Sequence, residues 1–256
     1  MDKRDAVQPR RLMLKGARNV RDLGGYLFEA SDGTHGLTAY GSYLRGDSLR
    51  RLTAADIAYL RELGLVRVID VRSAFEVRYS PDPFSHGHHD GIDYIHIPML
   101  DQLNSSGMRS QVPACMFDTY RKLLDEDAGE VRAVFEALDT SGCVLFHCRA
   151  GKDRTGVIAM LLLGLAGVAD ADIVADYAAT GEYMTTSMWI QRSLATVLLR
   201  KKVPRSLFIA DPREMERACA YLRKTYGSAY QYLRGRAGVD EQVLERVTAR
   251  LRGTLA

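Results

Sequence analysis

The chain is poor in the features that mark disulfide-stapled, metal-held or membrane-spanning proteins. Its four cysteines, Cys115, Cys143, Cys148 and Cys219, show neither paired metal-ligand spacing nor the density of a secreted scaffold, which fits a reducing compartment. There is no long hydrophobic run: the longest, Val157 to Val168, is too short to span a bilayer. Met1 to Arg11 is charged and has no apolar centre, so a soluble protein is expected, cytoplasmic or exported without a conventional signal peptide. No single sign of charge dominates. With 26% charged residues and a net charge of +3, nothing demands nucleic acid, and a phosphate-bearing partner needs only local positive potential.

What the chain has in quantity is core-forming material. At 256 residues and 46% hydrophobic it is long and apolar enough for one substantial domain, read as residues 16–256 behind an N-terminal arm at 1–15. The densest signal is Phe146-His147-Cys148-Arg149-Ala150-Gly151-Lys152-Asp153-Arg154-Thr155-Gly156. A short apolar run, Cys143 to Phe146, precedes it, and a helix-length apolar run from Val157 follows, so the order is strand, loop, helix. Unpaired amides and the positive end of the helix dipole make such a terminus an anion site, and Gly151 and Gly156 let the backbone curl inward. A thiol at the head of such a nest is favoured as thiolate. Arg154, six residues on, can fold back as a planar fork on two phosphate oxygens, and Arg149 and Lys152 add to the field.

The same stretch is not a nucleotide-binding loop. A G-x-x-x-x-G-K-[ST] loop needs glycine where Phe146 stands and a hydroxyl where Asp153 stands, which argues against kinase or ATPase chemistry. The residues therefore read as a cysteine-dependent phosphatase, with Arg149, Ala150, Gly151, Lys152, Arg154, Thr155 and Gly156 as the phosphate cradle.

Elsewhere the pattern alternates strands and helices, as in a parallel α/β sheet. Gly33, Gly36 and Gly41 punctuate a small antiparallel hairpin region at 26–45. Thr53 and Asp56 form a capping box for a helix from Ala54 to Leu63, stopped by Gly64. Leu65 to Val71 reads as an interior parallel strand. Ligands gather at the carboxyl ends of such strands, so Asp70, Arg72 and Glu76 are candidates for supporting the loop, with an Arg72–Glu76 i, i+4 ion pair as the plainer alternative. Ile92 to Ile97 is the next strand, with polar residues 102–112 beyond it. The segment from Cys115 to Leu138 is helical with a break near Gly129. After the loop helix, Asp172 to about Ala179 and Met184 to Arg200 read as separate helices. Residues 184–205, with a Met-rich apolar face and a basic end, are a candidate lid able to attract a phosphorylated protein or a membrane surface. Asp211-Pro212 opens a helix to Tyr226, and Asp240 opens the last one.

His86, His88 and His89 cluster in one loop but lack helical metal-ligand spacing, and hydrolysis driven by Cys148 needs no metal. No metal and no cofactor are expected.

His147-Cys-Arg-Ala-Gly-Lys-Asp-Arg-Thr-Gly156 resembles the signature of the LipA-like tyrosine phosphatase family of bacteria and fungi. Softer similarities lie at Asn19-Val-Arg-Asp-Leu-Gly24, Asp70-Val-Arg-Ser73 with Glu76, Ile173-Val-Ala-Asp-Tyr177, Thr225-Tyr-Gly-Ser228 and Tyr232-Leu-Arg234. The resemblance implies a protein-tyrosine-phosphatase-like α/β fold, a parallel-rich central sheet flanked by helices with a helical C-terminal region. It also implies activity on phosphotyrosine, reaching phosphoinositides or phosphoserine/threonine in some members. Inorganic phosphate is then the product, and oligomeric state is left open.

The expected mechanism is attack of Cys148 on phosphorus, a phosphocysteine stabilised by Arg154 and the loop amides, and hydrolysis of that intermediate by water. Tyrosine phosphatases with a Trp-Pro-Asp loop protonate the leaving oxygen from its Asp. Here the only tryptophan is Trp189 and the tripeptide is absent. Asp153 is the first choice of acid, by resemblance, against a structural role bracing the loop; Asp82 and Asp101 rank below it. Lys152 resembles a lysine that binds inositol phosphates in lipid-active members, and His147 orients the loop and tunes the thiol. The rivals are a non-catalytic phosphopeptide-binding module and another Cys-loop enzyme of rhodanese or arsenate reductase type. A protective disulfide of Cys148 with Cys143 or Cys115 is a further option.

Overall fold

The computed structural model describes residues 10–30, 32–85, 91–100, 115–199 and 209–254, the side chains of 185–199 excepted. The histidine cluster at 86–89, Asp101, the polar segment 102–112 and the basic end of the lid candidate at 200–205 lie outside these residues.

A five-stranded sheet forms the centre. Its strands are β1 (Arg21–Asp22), β4 (Tyr43–Gly46), β5 (Leu65–Asp70), β6 (Asp93–His96) and β7 (Cys143–His147), in the spatial order β1-β4-β7-β5-β6. β4, β7, β5 and β6 run parallel, and β1 pairs antiparallel with β4 at the edge. β2 (Leu27–Glu29) and β3 (His35–Leu37) form the separate antiparallel hairpin expected near residues 26–45. β7 lies in the middle with all five residues buried, as a strand covered on both faces requires. The register aligns Gly46, His147, Asp70 and His96 at one rim. That rim is the carboxyl end of the parallel strands, where α/β sheets place their sites.

Helices cover both faces. α1 (Ala54–Glu62) carries the expected Thr53/Asp56 capping box, and α2 (Ala74–Tyr79) has a second one from Ser73 and Glu76. α3 (Met116–Asp125) and α4 (Ala128–Leu138) follow β6, and α5 (Asp153–Ala166) follows β7. α5 is buried almost all round, including Val157 to Leu163, so it is a core element with no polar face to spare. α6 (Asp170–Leu199), α7 (Pro212–Tyr226), the short turn α8 (Ala229–Gln231) and α9 (Glu241–Arg252) complete the helical C-terminal region, with a π-helical stretch at Tyr232–Ala237. Among the described residues no helix is long and apolar enough to cross a membrane.

Two local expectations change. The helix break placed near Gly129 falls at Asp127, whose non-helical backbone is tied by its carboxylate to the Leu100 amide at 2.6 Å; the tertiary bond outweighs the glycine. The two helices expected at 172–179 and 184–200 are one, α6, running through Gly181. Thr180, buried one residue earlier, accepts hydrogen bonds from Arg21 and Asn19 and so fixes the weak point in place. Of the N-terminal arm at 1–15, residues 10–15 are described: Leu12 is buried and its amide donates to the Val20 carbonyl, and Asp56 accepts from the Lys15 amide at 2.8 Å.

Candidate active site

β7 ends at His147, and the chain turns through Cys148 to Lys152 before α5 begins at Asp153. Cys148 is 2% exposed. The turn is held from outside by contacts to distant parts of the chain. The Ser48 amide donates to the Arg149 carbonyl at 3.2 Å, Asn19 Nδ2 to the Ala150 carbonyl at 3.0 Å, and Arg45 Nη2 to the Gly151 carbonyl at 2.8 Å. With their carbonyls engaged outward, the peptide planes of the turn leave their amides for an anion at the mouth of α5. Gly151 has φ +65°, and a Cβ there would lie 2.6 Å from the Gly46 carbonyl oxygen. No side chain fits, which explains this glycine physically.

Behind the turn lies a buried polar cluster that sequence reading missed. Asp176 on α6 binds Arg21 Nε at 2.8 Å, Arg45 Nη1, and the Tyr26 hydroxyl at 3.1 Å. Burial pushes the Asp176 carboxyl up, but Arg21 and then Arg45 outweigh it and hold it down at about 2. Burial, then repulsion from Arg21, drops Arg45 to about 10. Two guanidinium groups on one carboxylate leave one positive charge uncompensated beneath the anion site. The two halves of the cluster, Asn19 to Asp22 and Asp176 with Tyr177, fall in two of the softer similarity stretches; their partnership across 155 residues left no local signal.

Arg154 sits in the first turn of α5 and points back to the end of β5. Its Nη1 donates to Glu76 Oε2 at 2.6 Å and to the Val71 carbonyl at 3.4 Å, and its Nη2 to Glu76 Oε1 at 3.0 Å. Glu76 is thus the partner of Arg154, and the Arg72–Glu76 pair is absent. Among the described residues, the Nε side of the fork, with the second Nη2 proton, is left for an anion, the bidentate geometry phosphate prefers. Burial lowers the Arg154 pKa, but Cys148 and Glu76 outweigh it, so the group is held more firmly charged than usual. Glu76 is raised by burial and lowered more strongly by Arg154, to about 2.

Arg72 does not face the loop. It is 1% exposed and clamps Asp70 through Nε at 2.9 Å and Nη2 at 2.6 Å, with Nη2 also reaching Asp82 at 2.9 Å. His147 is fully buried beside them, Nε2 lying 3.3 Å from Asp82 Oδ2 and 3.8 Å from Asp70 Oδ2, with Nδ1 3.3 Å from the Cys148 carbonyl. Burial lowers the His147 pKa, and the Asp70 charge and then Asp82 outweigh it, so the imidazole gains proton affinity. An imidazolium there makes a balanced box of two anions and two cations under Cys148. Asp70, Asp82 and His147 lie within 4.8 Å of one another, close enough to hold a metal. Arg72 Nη2 already binds one oxygen of each carboxylate, so both negative charges have a cation beside them before any metal is considered.

Asp153 is the first residue of α5, with a side chain 27% exposed. Its Oδ1 accepts from the Tyr120 hydroxyl at 2.8 Å and lies 3.4 Å from Lys152 Nζ. Lys152 is 2% exposed and also reaches the Ile209 carbonyl at 3.4 Å; it points along the rim, whereas Arg149 is exposed. Thr155 and Gly156 are buried in the first turn of α5. Asp82, the lower-ranked acid, is 3% exposed and engaged by Arg72 and His147, away from solvent. All four cysteines are free. Cys143 and Cys148 stand at opposite ends of β7, about 16 Å apart at strand rise, so they cannot pair.

Known proteins resemble this chain over most of its length. A model of the tyrosine phosphatase family matches residues 12–253. A tyrosine-protein phosphatase of Nostoc commune is 34% identical over 82% of this chain and 74% of its own. The triple specificity protein phosphatase PtpB of Mycobacterium tuberculosis is 29% identical over 94% of this chain and 98% of its own. The crystal structure of P. aeruginosa TpbA is similar at 15% identity and a TM-score of 0.36, covering 88% of this chain and 97% of that one, a likeness too slight to weigh by itself. With its loop, its parallel sheet and a family match over nearly its whole length, the chain belongs to the tyrosine phosphatase family.

Proposed function

We propose that the protein hydrolyses phosphotyrosine monoesters through a phosphocysteine on Cys148, and that residues 16–256 act as one phosphatase domain. The observation that carries this reading is the buried Cys148 at the head of a braced turn, with Arg154 anchored by Glu76 so that one edge of its guanidinium faces the turn. The phosphate sits on the amides from Arg149 to Arg154 and on that edge. The Cys148 thiolate attacks phosphorus, the P–O bond to the leaving group breaks, and Asp153 protonates the departing oxygen. Water then attacks the phosphocysteine and Asp153 takes its proton, releasing phosphate and the thiolate. Nothing in this route requires a metal.

The breadth of substrate follows from charge beside the turn. Arg149 is exposed beside the phosphate position and suits a second phosphate, while buried Lys152, turned to Asp153 and the Ile209 carbonyl, adds only to the local positive potential, so phosphoinositides and phosphoserine/threonine fall within the reading. That PtpB is named a triple specificity phosphatase supports it. Turnover of p-nitrophenyl phosphate in the presence of a chelator, lost in Cys148→Ser, is the expected result; activity surviving that substitution would sink the proposal. Phosphotyrosine binding without turnover would favour a binding module, and sulfur transfer or arsenate reduction would favour the other Cys-loop enzymes.

A further inference from the structure

We infer that Tyr120 and Tyr177 are positioning residues that decide which oxygen of Asp153 carries the transferable proton. This rests on Asp153 acting as the acid.

A carboxylic acid delivers its proton from one oxygen while the other behaves as a carbonyl. The geometry assigns these roles. Tyr120, on the buried face of α3, donates its hydroxyl to Asp153 Oδ1 at 2.8 Å, and the Lys152 ammonium approaches the same Oδ1 at 3.4 Å. Both are donors aimed at one oxygen, which makes Oδ1 the acceptor. Among the described residues Oδ2 accepts no hydrogen bond, so the proton resides there. The Tyr177 hydroxyl lies 2.6 Å from that of Tyr120. The single Tyr120 proton is committed to Asp153, so Tyr177 is the donor in that contact, and its proton strengthens Tyr120 as a donor in turn.

The pair is rigid. Tyr120 is 0% and Tyr177 1% exposed, and their rings meet edge to face with centroids 6.0 Å apart. Tyr177 also packs beside Gly156 in the first turn of α5. Burial, and then the charge of Asp153, raise both phenols well above their ordinary range, so both keep their protons at any working pH. In the first step Oδ2–H passes its proton to the ester oxygen as S–P forms and P–O breaks. In the second, Oδ2 takes a proton from water as O–P forms and S–P breaks. Tyr120 stays hydrogen-bonded to Oδ1 throughout and gains or loses nothing.

The test uses the full chain and a series of aryl phosphates whose leaving phenols range from strongly to weakly basic. Protonation matters most for the basic leaving groups. Asp153→Asn is expected to depress kcat/KM steeply for phenyl phosphate and little for dinitrophenyl phosphate. Tyr120→Phe is expected to give the same pattern at about tenfold, a fraction of what a general acid supplies. Inhibition by inorganic phosphate should change by less than about twofold, and Tyr120→Phe should add nothing in an Asp153→Asn background. Tyr177→Phe should give a weaker version, and it carries the test if Tyr120→Phe does not fold. An Asp153→Asn variant with unaltered leaving-group dependence overturns the acid assignment itself. If Asp153→Asn steepens that dependence while the tyrosine variants slow all substrates equally, or add in full to Asp153→Asn, only the positioning role is overturned.

Discussion

Replacing Glu76 by glutamine tests the anchoring of Arg154. The carboxylate receives Arg154 Nη1 at 2.6 Å and Nη2 at 3.0 Å, and the Ser73 amide at 2.9 Å, with 17% of its side chain exposed. Its folded pKa of about 2, against the ordinary 4.5, corresponds to about 3 kcal/mol, at roughly 1.4 kcal/mol per pH unit. The sign follows from the depression: this stability is present above about pH 4.5 and is lost as pH falls through about 2. Glutamine keeps one acceptor but turns an amide toward a guanidinium donor. At pH 7 Glu76→Gln is expected to lower stability by about 2–3 kcal/mol, a Tm loss of about 5–10 °C for a chain of this size. The gap should narrow steadily below pH 4. Because Arg154 loses its fixed orientation, kcat/KM should fall by about 10- to 100-fold. Thermal unfolding across pH, paired with p-nitrophenyl phosphate kinetics, measures both. A variant within about 1 °C of wild type at pH 7, or a gap that stays constant down to pH 3, would refute the reasoning.

Other substitutions probe other parts of the frame. Asp127, raised to about 6 by burial first and then by Glu130 and Glu126, favours the fold below about pH 4 and loses that contribution as pH rises through 6. Asp127→Asn keeps an acceptor for Leu100 and should gain about 1–2 kcal/mol above pH 7, discounted for the water that reaches this half-buried group, and nothing at pH 4; chemical denaturation at both pH values checks it. Arg72→Met removes the guanidinium from the Asp70 and Asp82 carboxylates, leaving Asp70 the Tyr94 hydroxyl at 2.8 Å and its own backbone contact, and both carboxylates beside His147; a loss of about 3–5 kcal/mol in urea unfolding is expected. Gly151→Ala forces a Cβ within 2.6 Å of the Gly46 carbonyl oxygen at φ +65°. It should cost about 1–3 kcal/mol and abolish phosphate binding by calorimetry.

The turn from His147 to Gly156 was legible because its chemistry is contiguous: nucleophile, glycine and arginine lie within one stretch between an apolar strand and an apolar helix. Glu76 was visible as a candidate but not as the partner of Arg154. Serving as the third helical residue of a capping box on Ser73 turns its carboxylate back over the start of α2, where Arg154 arrives, and Arg72 lies outside that helix. Asp176, Arg21 and Arg45 come from three separate elements, and no periodicity links them. Tyr120 carried no signal in the sequence and Tyr177 stood out only as the end of a similarity stretch; the packing of α3 and α6 against α5 brings the Tyr120 hydroxyl to Asp153 and that of Tyr177 to Tyr120. Helix ends followed the same rule. Local caps at Thr53, Asp211 and Asp240 were readable, whereas the turn at Asp127 depends on Leu100 in another segment.

The central claim is that Cys148 itself carries the phosphoryl group. Rapid quenching of the wild-type protein with a phosphorus-labelled aryl phosphate, followed by peptide mapping, tests it most directly. Transient label is expected on the peptide containing Cys148, formed as fast as the phenol is released and absent in Cys148→Ser. Phenol release without label on that peptide, or label on a different residue, would contradict it.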